Sequence, residues 1–242
     1  MPAEPGDFQL FYDGSFQHPM LLWLVASGAL LYCLRVRGLQ PRMRIYCFAL
    51  AFLSLLDAWL TSNSIAGVGR LPAAVSGVLP LCFVLAGDFR YFLLVRLATP
   101  SGDLDFTPTR LLAAVGLTAI VPVASQVLLL LLPASWDSPR TLYLVYELLF
   151  VVLTFCLLRF AKVLRDVPWL RRVSYFVMLY YGLWASADLI ILATGSDLGF
   201  ALRVVPNVLY YGGLIVMVGR EAARAAETAR SGGAPPPDGG QP

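Results

Sequence analysis

The sequence predicts an all-α, polytopic membrane protein with seven transmembrane helices, its N-terminus outside and its C-terminus in the cytoplasm. Apolar residues make up 58% of the 242-residue chain, and its mean hydropathy is +0.72. A soluble domain of this size needs a polar surface that such a composition does not supply. The apolar residues also fall into seven stretches, and the basic residues between them lie almost entirely on one side.

Each apolar stretch has about the length that a helix needs to cross the hydrocarbon core of a bilayer, roughly 20 residues. The third stretch is interrupted near its inner end by Asp88 and Arg90. Polar turns at 101–109 and 134–140 separate the third, fourth and fifth stretches, because they are rich in turn-forming residues. The predicted spans are residues 19–36, 45–62, 71–95, 110–133, 141–160, 172–194 and 200–219.

The distribution of Lys and Arg predicts the orientation, because cytoplasmic connectors carry an excess of these residues. The chain has 18 basic residues, and only three of them, Arg70, Arg140 and Arg203, fall on the outer side. The others fall on the inner side, at Arg35, Arg37, Arg42, Arg44, Arg90, Arg96, Arg110, Arg159, Lys162, Arg165, Arg171, Arg172, Arg220, Arg224 and Arg230. The alternation runs through all seven spans, so the number of spans and the orientation support each other.

The two ends of the chain have different predicted character. Residues 1–18 form an extracytoplasmic segment with three acidic residues and no basic one, and residues 19–220 form the membrane domain. No positive region and cleavage site precede the first span, so we expect that span to remain in the protein. Residues 221–242 form a cytoplasmic tail that first extends the last helix. From about residue 231 the tail is predicted to be disordered, because its Gly- and Pro-rich sequence buries too little apolar surface to fold.

Polar side chains inside five spans form the candidate site, since such groups are costly in the hydrocarbon core and often mark functional paths. Counting residues from the span ends places them at similar depths, in the outer half of the bilayer. Arg203 lies just above this layer, and Trp184 precedes Asp188 by one helical turn. The sequence predicts an outward-open, aromatic-lined cavity whose ligand- or proton-binding candidates are Asp57, Gln126, Glu147, Trp184, Asp188, Arg203 and Asn207.

Two interpretations of this layer are open from the sequence. Its acids could bind a small polar or cationic molecule or pass protons, with Arg203 as the main counter-charge. The same groups could instead form separate hydrogen bonds and one ion pair that hold the helices together. At the inner end of the third span, Asp88 and Arg90 lie on different helix faces. We expect these two to anchor the inner interface, and the alternative is a coupling role between the cavity and the cytoplasm.

Several chemistries lack support in the sequence. The only histidine is His18, and neither an HExxH nor a CxxC spacing occurs. No metal site, cofactor or catalytic residue is therefore predicted, and an enzyme is disfavoured. The net charge of +3 resides in connectors beside the membrane, so the partner it predicts is the lipid bilayer rather than a nucleic acid.

The predicted function is a small-solute or proton-coupled transporter in the plasma (inner) membrane, and the Arg- and Ala-rich composition indicates a bacterium. Acids on several helices favour transport, as does Pro206, which removes a helix hydrogen bond beside Asn207. One alternative is a seven-helix sensor or receptor whose tail, 221–242, contacts a cytoplasmic protein partner. The other is a scaffold subunit of a membrane complex.

Overall fold

The computed structural model describes residues 5–62, 72–133, 136 and 138–232, which form helices joined by short connections. These ranges contain ten α-helices and two π-helical segments, the latter being Phe16–Leu21 and Leu209–Gly213. The α-helices are α1 (Asp7–Asp13), α2 (Leu22–Arg35), α3 (Pro41–Leu60), α4 (Ala73–Leu97), α5 (Pro108–Leu131), α6 (Pro139–Phe160), α7 (Lys162–Asp166), α8 (Pro168–Thr194), α9 (Leu198–Val208) and α10 (Leu214–Ser231).

Six helical stretches in the described residues are long and apolar enough to cross a bilayer. They are Phe16–Arg35, Pro41–Leu60, Pro108–Leu131, Pro139–Phe160, Pro168–Thr194 and Leu198–Ser231. This finding supports the predicted class, an all-α integral membrane protein with several spans. The six match all the predicted spans except the third, residues 71–95. That stretch corresponds to α4, a helix of 25 residues.

Four helices begin a few residues earlier than the hydropathy pattern predicts. Each of the four starts at a proline, at positions 41, 108, 139 and 168. Proline is favoured at the first helical position, because its fixed φ suits the helix and its missing N–H would have no partner there. Polar residues that the hydropathy pattern assigns to connectors, such as Arg140, therefore lie in the first helical turn.

The core of the bundle is aromatic and closely packed. Helix α8 packs against both α6 and α9, and α2 packs against α3 and the second π-helical segment. Phe150 of α6 stacks on Tyr181 of α8 with 3.9 Å between ring centroids. Gly212 permits the approach of α2, since a Cβ there would lie only 2.9 Å from the Val25 carbonyl oxygen. Small residues allow this kind of close helix crossing in membrane proteins.

The end of the bundle where α1 lies is called the α1 end here. Helix α1 packs against α9, and the Asp197 carboxylate accepts hydrogen bonds from the Phe8 and Gln9 backbone N–H groups, each at 2.8 Å. A carboxylate at a helix N-terminus satisfies free N–H groups and interacts favourably with the helix dipole. The predicted N-terminal segment, residues 1–18, thus includes a helix held against the bundle.

The opposite end, called the α10 end, contains part of the predicted tail. Helix α10 continues to Ser231, and Glu221 on it is 1% exposed. The Glu221 carboxylate pairs with Arg172 of α8 at 2.5 Å and with Arg224 at 3.3 Å. Residues 221–231 therefore extend the last helix, as the sequence predicts, and this extension packs on the bundle. The predicted disordered segment from about 231 lies almost entirely outside the described residues.

The connection between α4 and α5 folds against α10 at Gly102. This residue has a φ of +75°, and a Cβ there would lie 3.0 Å from the Ala222 carbonyl carbon. The Gly102→Ala variant should lose about 2–4 kcal/mol of stability, because it combines a left-handed backbone with an overpacked contact. Thermal unfolding in one detergent would measure the loss.

The matched control is Gly116→Ala on α5, where a Cβ has no heavy atom within 4 Å. Alanine is the better helix former, so this variant should be neutral or gain up to about 1 kcal/mol. Equal melting temperatures for the two variants would contradict the described packing of the connection on α10.

Candidate functional site

A cavity of about 240 Å³ lies inside the bundle near the α1 end. Its walls come from α3, α4, α6, α8 and α9 and from the second π-helical segment, and α1 contributes Tyr12. Most of the lining side chains are aromatic: Tyr12, Phe83, Tyr143, Tyr146, Tyr181, Trp184, Tyr210 and Tyr211. Val84 also contributes, and the polar lining consists of His18, Asp57, Thr61, Glu147, Arg203 and Asn207.

The structure brings together five of the seven residues predicted for the layer. Those that line the cavity are Asp57, Glu147, Trp184, Arg203 and Asn207. Asp188 lies behind the wall and is fully buried. Gln126 is exposed on the surface of α5 and does not line the cavity. Helix α5 is apolar on all sides, so its sequence pattern did not define which face turns inward.

An ion-pair cluster joins α6, α8 and α9 at the cavity wall. Arg203 of α9 donates a hydrogen bond to Asp188 Oδ1, and Arg140 of α6 donates to the same oxygen at 2.9 Å. The Arg203 Nη1 atom also lies 3.8 Å from Glu147 Oε1. Arg203 Nε donates to the Tyr12 hydroxyl at 3.1 Å. The counter-charge role predicted for Arg203 therefore involves Asp188 first and Glu147 second.

Arg140 and Tyr12 are members of this cluster that the sequence analysis did not include. Arg140 was assigned to a connector, but Pro139 starts α6 and places it in the helix. One feature of the sequence does single out Arg140, because it is one of only three basic residues on the predicted outer side of the membrane. For Tyr12 the sequence contains no comparable signal, since its contact with Arg203 spans 191 positions.

Two carboxylate oxygens in the cluster have no hydrogen-bond partner within the described ranges. They are Glu147 Oε2 and Asp188 Oδ2, both buried. A buried acceptor without a partner costs about 1–3 kcal/mol, and more when it is charged. Glu147 belongs to the cavity wall, but its free oxygen is itself buried, so a donor inside the cavity would reach this oxygen only after the carboxylate turns.

Asp57 and Asn207 lie in two further hydrogen-bonded groups. The Asp57 carboxylate forms hydrogen bonds with the Tyr211 and Thr61 side chains. Thr61 also lies 3.1 Å from His18 Nε2. The Asn207 side-chain oxygen accepts from Trp184 Nε1 at 2.9 Å, which fixes the orientation of the indole ring in the wall.

Asp88 and Arg90 form the floor of the cavity, meaning the layer between its lining tyrosines and the α10 end. The Asp88 carboxylate accepts hydrogen bonds from the Tyr146 and Tyr181 hydroxyls, which belong to α6 and α8. The Arg90 guanidinium lies 3.7 Å from the Tyr210 ring centroid and donates to the Tyr210 carbonyl oxygen at 3.2 Å.

The expected role of these two residues as anchors at the inner interface is wrong. Asp88 is 0% exposed and Arg90 is 3% exposed, so both side chains are enclosed by the bundle and neither extends from its surface. Neighbouring helices supply partners to both, Arg90 also donating to Ser54 at 3.4 Å, although Arg90 Nε has no partner in the described ranges. The prediction that they do not pair with each other agrees with their separate sets of partners.

The helices and the cavity together define an integral, multi-pass membrane protein with a polar and aromatic site inside its bundle. A scan against protein-family models finds no match, and searches of the curated proteins and of the solved structures find none either. Within the described ranges, no group of three His, Cys, Asp or Glu side chains could hold a metal ion.

The ion-pair cluster predicts a large effect of Arg203 on stability. Arg203→Met leaves Asp188 with one partner and removes the cation nearest Glu147, so it should lose about 3–5 kcal/mol. Arg159→Met is the control, because Arg159 is exposed at the end of α6 and should change stability little. Unfolding in a detergent series would measure both variants.

A double-mutant cycle separates the ion pair from general packing. If Arg203 acts through Asp188, Arg203→Met combined with Asp188→Asn should cost clearly less than the sum of the two single losses. Additive losses would contradict the ion-pair account.

Proposed function

We propose that the protein is a transporter of a small polar or cationic solute, with seven spans, its N-terminus outside and its C-terminus in the cytoplasm. In this proposal the α1 end faces the exterior, and the cavity is the outward-open solute site. The membrane is the plasma (bacterial inner) membrane. The observation that carries the proposal is a cavity lined by two carboxylates and closed below by a buried charged floor.

The first step concerns the seventh span. Helix α4 has 25 residues, which at 1.5 Å each gives about 37 Å, more than the roughly 30 Å of hydrocarbon. It packs against α5 inside the bundle, and its buried Asp88 and Arg90 have hydrogen-bond partners on other helices. These properties support α4 as a membrane span.

The second step concerns orientation. With seven spans the two termini lie on opposite sides, and the α10 end carries Arg42, Arg159, Lys162, Arg165, Arg171 and Arg172 in or beside its connectors. The positive-inside tendency therefore favours the α10 end as the cytoplasmic one. Among the described residues, the arginines nearest the α1 end are Arg140 and Arg203, which are both paired with Asp188 and do not form a basic surface.

A topology experiment tests these two steps. A phosphatase reporter, active only outside, and a fluorescent reporter, active only in the cytoplasm, would each be fused after Pro242 and within the 101–107 connection. Both sites should give cytoplasmic signals, and a tag before Asp7 should be accessible outside. Accessibility of both termini from the same side would overturn the orientation and the seven-span count.

The third step concerns movement of the cavity wall. The helix that carries Arg203, Asn207, Tyr210 and Tyr211 contains Pro206, followed by the π-helical segment Leu209–Gly213. Such interruptions weaken the helical hydrogen-bond ladder and often occur at functional sites. A wall that bends here could open the floor, while the Glu221–Arg172 pair keeps the α10 end closed in the state described.

A sensor or receptor is the second candidate, favoured by one observation. Leu198–Ser231 is a continuous helical stretch of 34 residues, so it connects the cavity wall directly to the α10 end. A ligand in the cavity could thereby shift α10 and change its contact with a cytoplasmic protein partner. This candidate requires ligand binding but no solute flux, which separates it from transport.

Flux into liposomes tests the transporter proposal. Purified protein would be reconstituted into liposomes, and uptake of isotope-labelled methylammonium, glycine or glucose would be counted with and without an inward proton gradient, while an internal pH-sensitive dye reports proton entry. Flux of at least one solute, or of protons down the imposed gradient, should be faster in liposomes that contain the protein than in empty liposomes. Asp57→Asn and Glu147→Gln should each lower the initial rate about tenfold or more, the effect of losing roughly 1.4 kcal/mol.

Gln126→Leu is the matched control, because Gln126 is a polar residue of similar predicted depth that is exposed on α5. Its flux should equal that of the wild type. Wild-type liposomes indistinguishable from empty ones under every condition would overturn transport. In that case solute binding would support the sensor, and absence of binding would support the scaffold subunit.

A further inference from the structure

We infer that the solute held by the cavity is a compact organic ammonium ion with one positive charge and at least one N–H donor. This inference rests on the proposed function in taking the cavity as the solute site. It is carried by the charge balance around the cavity, by an unsatisfied carboxylate oxygen and by the aromatic lining.

The charge balance leaves room for one cation. In the described part of the chain, the wall and the layer behind it contain four carboxylates, from Asp57, Asp88, Glu147 and Asp188, and three guanidiniums, from Arg90, Arg140 and Arg203. In their usual ionised forms these groups leave one excess negative charge. An uncompensated charge inside an apolar bundle is costly, so either a proton on a carboxylate or a bound monovalent cation neutralises it, and an anion is disfavoured.

Glu147 is the carboxylate with the least compensation. Its Oε1 lies 3.8 Å from Arg203 Nη1, which is bound more closely to Asp188. Its Oε2 is buried and has no hydrogen-bond partner in the described structure. Asp57, by contrast, has hydrogen bonds from Tyr211 and Thr61. Once the Glu147 carboxylate turns this oxygen toward the cavity, an ammonium N–H would supply the donor that it lacks, whereas a quaternary ammonium ion would not.

The aromatic lining suits a cation. Aromatic faces carry negative electrostatic potential and attract ammonium and guanidinium groups. The protein already uses this property, because the Arg90 guanidinium lies 3.7 Å from the centre of the Tyr210 ring. Trp184 lies in the same cluster, 5.2 Å from Tyr210 and 5.4 Å from Tyr181 between ring centroids.

The size of the cavity argues for a small organic ion rather than a proton alone. At about 240 Å³, it is somewhat smaller than the roughly 300–1,000 Å³ of pockets for drug-sized ligands. A proton would neutralise the excess charge, yet it would leave this volume and the aromatic faces without an occupant. A short alkylammonium ion would satisfy all three features.

Four matched probes test the inference on the full-length protein in nanodiscs by calorimetry: n-propylammonium, n-propyltrimethylammonium, 1-propanol and propionate. Propylammonium should bind most tightly, and the trimethyl ion about tenfold more weakly, because it loses one charge-assisted hydrogen bond. The alcohol and propionate should show no saturable binding. This ranking uses the wild type alone, so it does not depend on a variant that fails to fold.

Variants then locate the binding. Glu147→Gln should weaken propylammonium binding about tenfold or more and abolish the preference over the trimethyl ion. Glu147→Asp should retain part of the affinity for propylammonium and part of the preference over the trimethyl ion. Gln126→Leu should change neither the affinity nor the preference. Equal or tighter binding of propionate, propanol or the trimethyl ion would overturn the inference, as would no binding of any probe.

These outcomes are distinguishable from failure of the proposed function. If liposomes show solute flux but propionate binds most tightly in calorimetry, the result would support transport and contradict the ammonium inference. Selective propylammonium binding without any flux would keep the ligand class and remove transport.

Discussion

Asp188 is the group on which the organisation of the site depends. It is fully buried in α8, and arginines from two other helices, Arg140 of α6 and Arg203 of α9, converge on one of its oxygens. A carboxylate inside an apolar bundle is tolerated only where opposite charges and hydrogen bonds replace water. This requirement joins three helices at one point. The position of Asp188 also determines how closely Arg203 approaches Glu147, and therefore how much of a negative charge on Glu147 is compensated.

Tyrosines fulfil a related requirement at the floor. Asp88 has no direct arginine partner among its hydrogen bonds in the described structure, and the hydroxyls of Tyr146 and Tyr181 satisfy it instead. A neutral hydroxyl donor can hold a carboxylate without adding charge. The same two tyrosines line the cavity, so the cavity and its floor share side chains. A change in the floor must therefore alter the wall, which suits a site that opens alternately to two sides.

The two ends of the bundle are held by different contacts. At the α1 end, Asp197 caps α1 through two backbone hydrogen bonds, and Tyr12 connects α1 to Arg203. At the α10 end, a buried Glu221 pairs with half-exposed Arg172. Because Glu221 is buried, separating it from Arg172 would leave a buried carboxylate with fewer partners, which is costly. Helix α1 places an aromatic residue at the cavity, while the Glu221 pair holds α10 against α8.

By itself, the sequence determined the membrane class and the approximate position of the long helices, because apolar length and turn-forming residues are local properties. Counting along the spans groups Asp57, Glu147, Trp184, Arg203 and Asn207, and these five residues line one cavity in the structure. Only the tertiary structure decided how each helix turns about its axis. Helices that are apolar on all sides carry no periodic signal for that rotation, so Gln126 was placed inward although it lies on the surface, and Asp88 and Arg90 were placed at an interface although they are buried. The partners of Asp188 depended on contacts between distant segments, since Arg140 is 48 positions away, and no spacing along the chain encodes such a meeting.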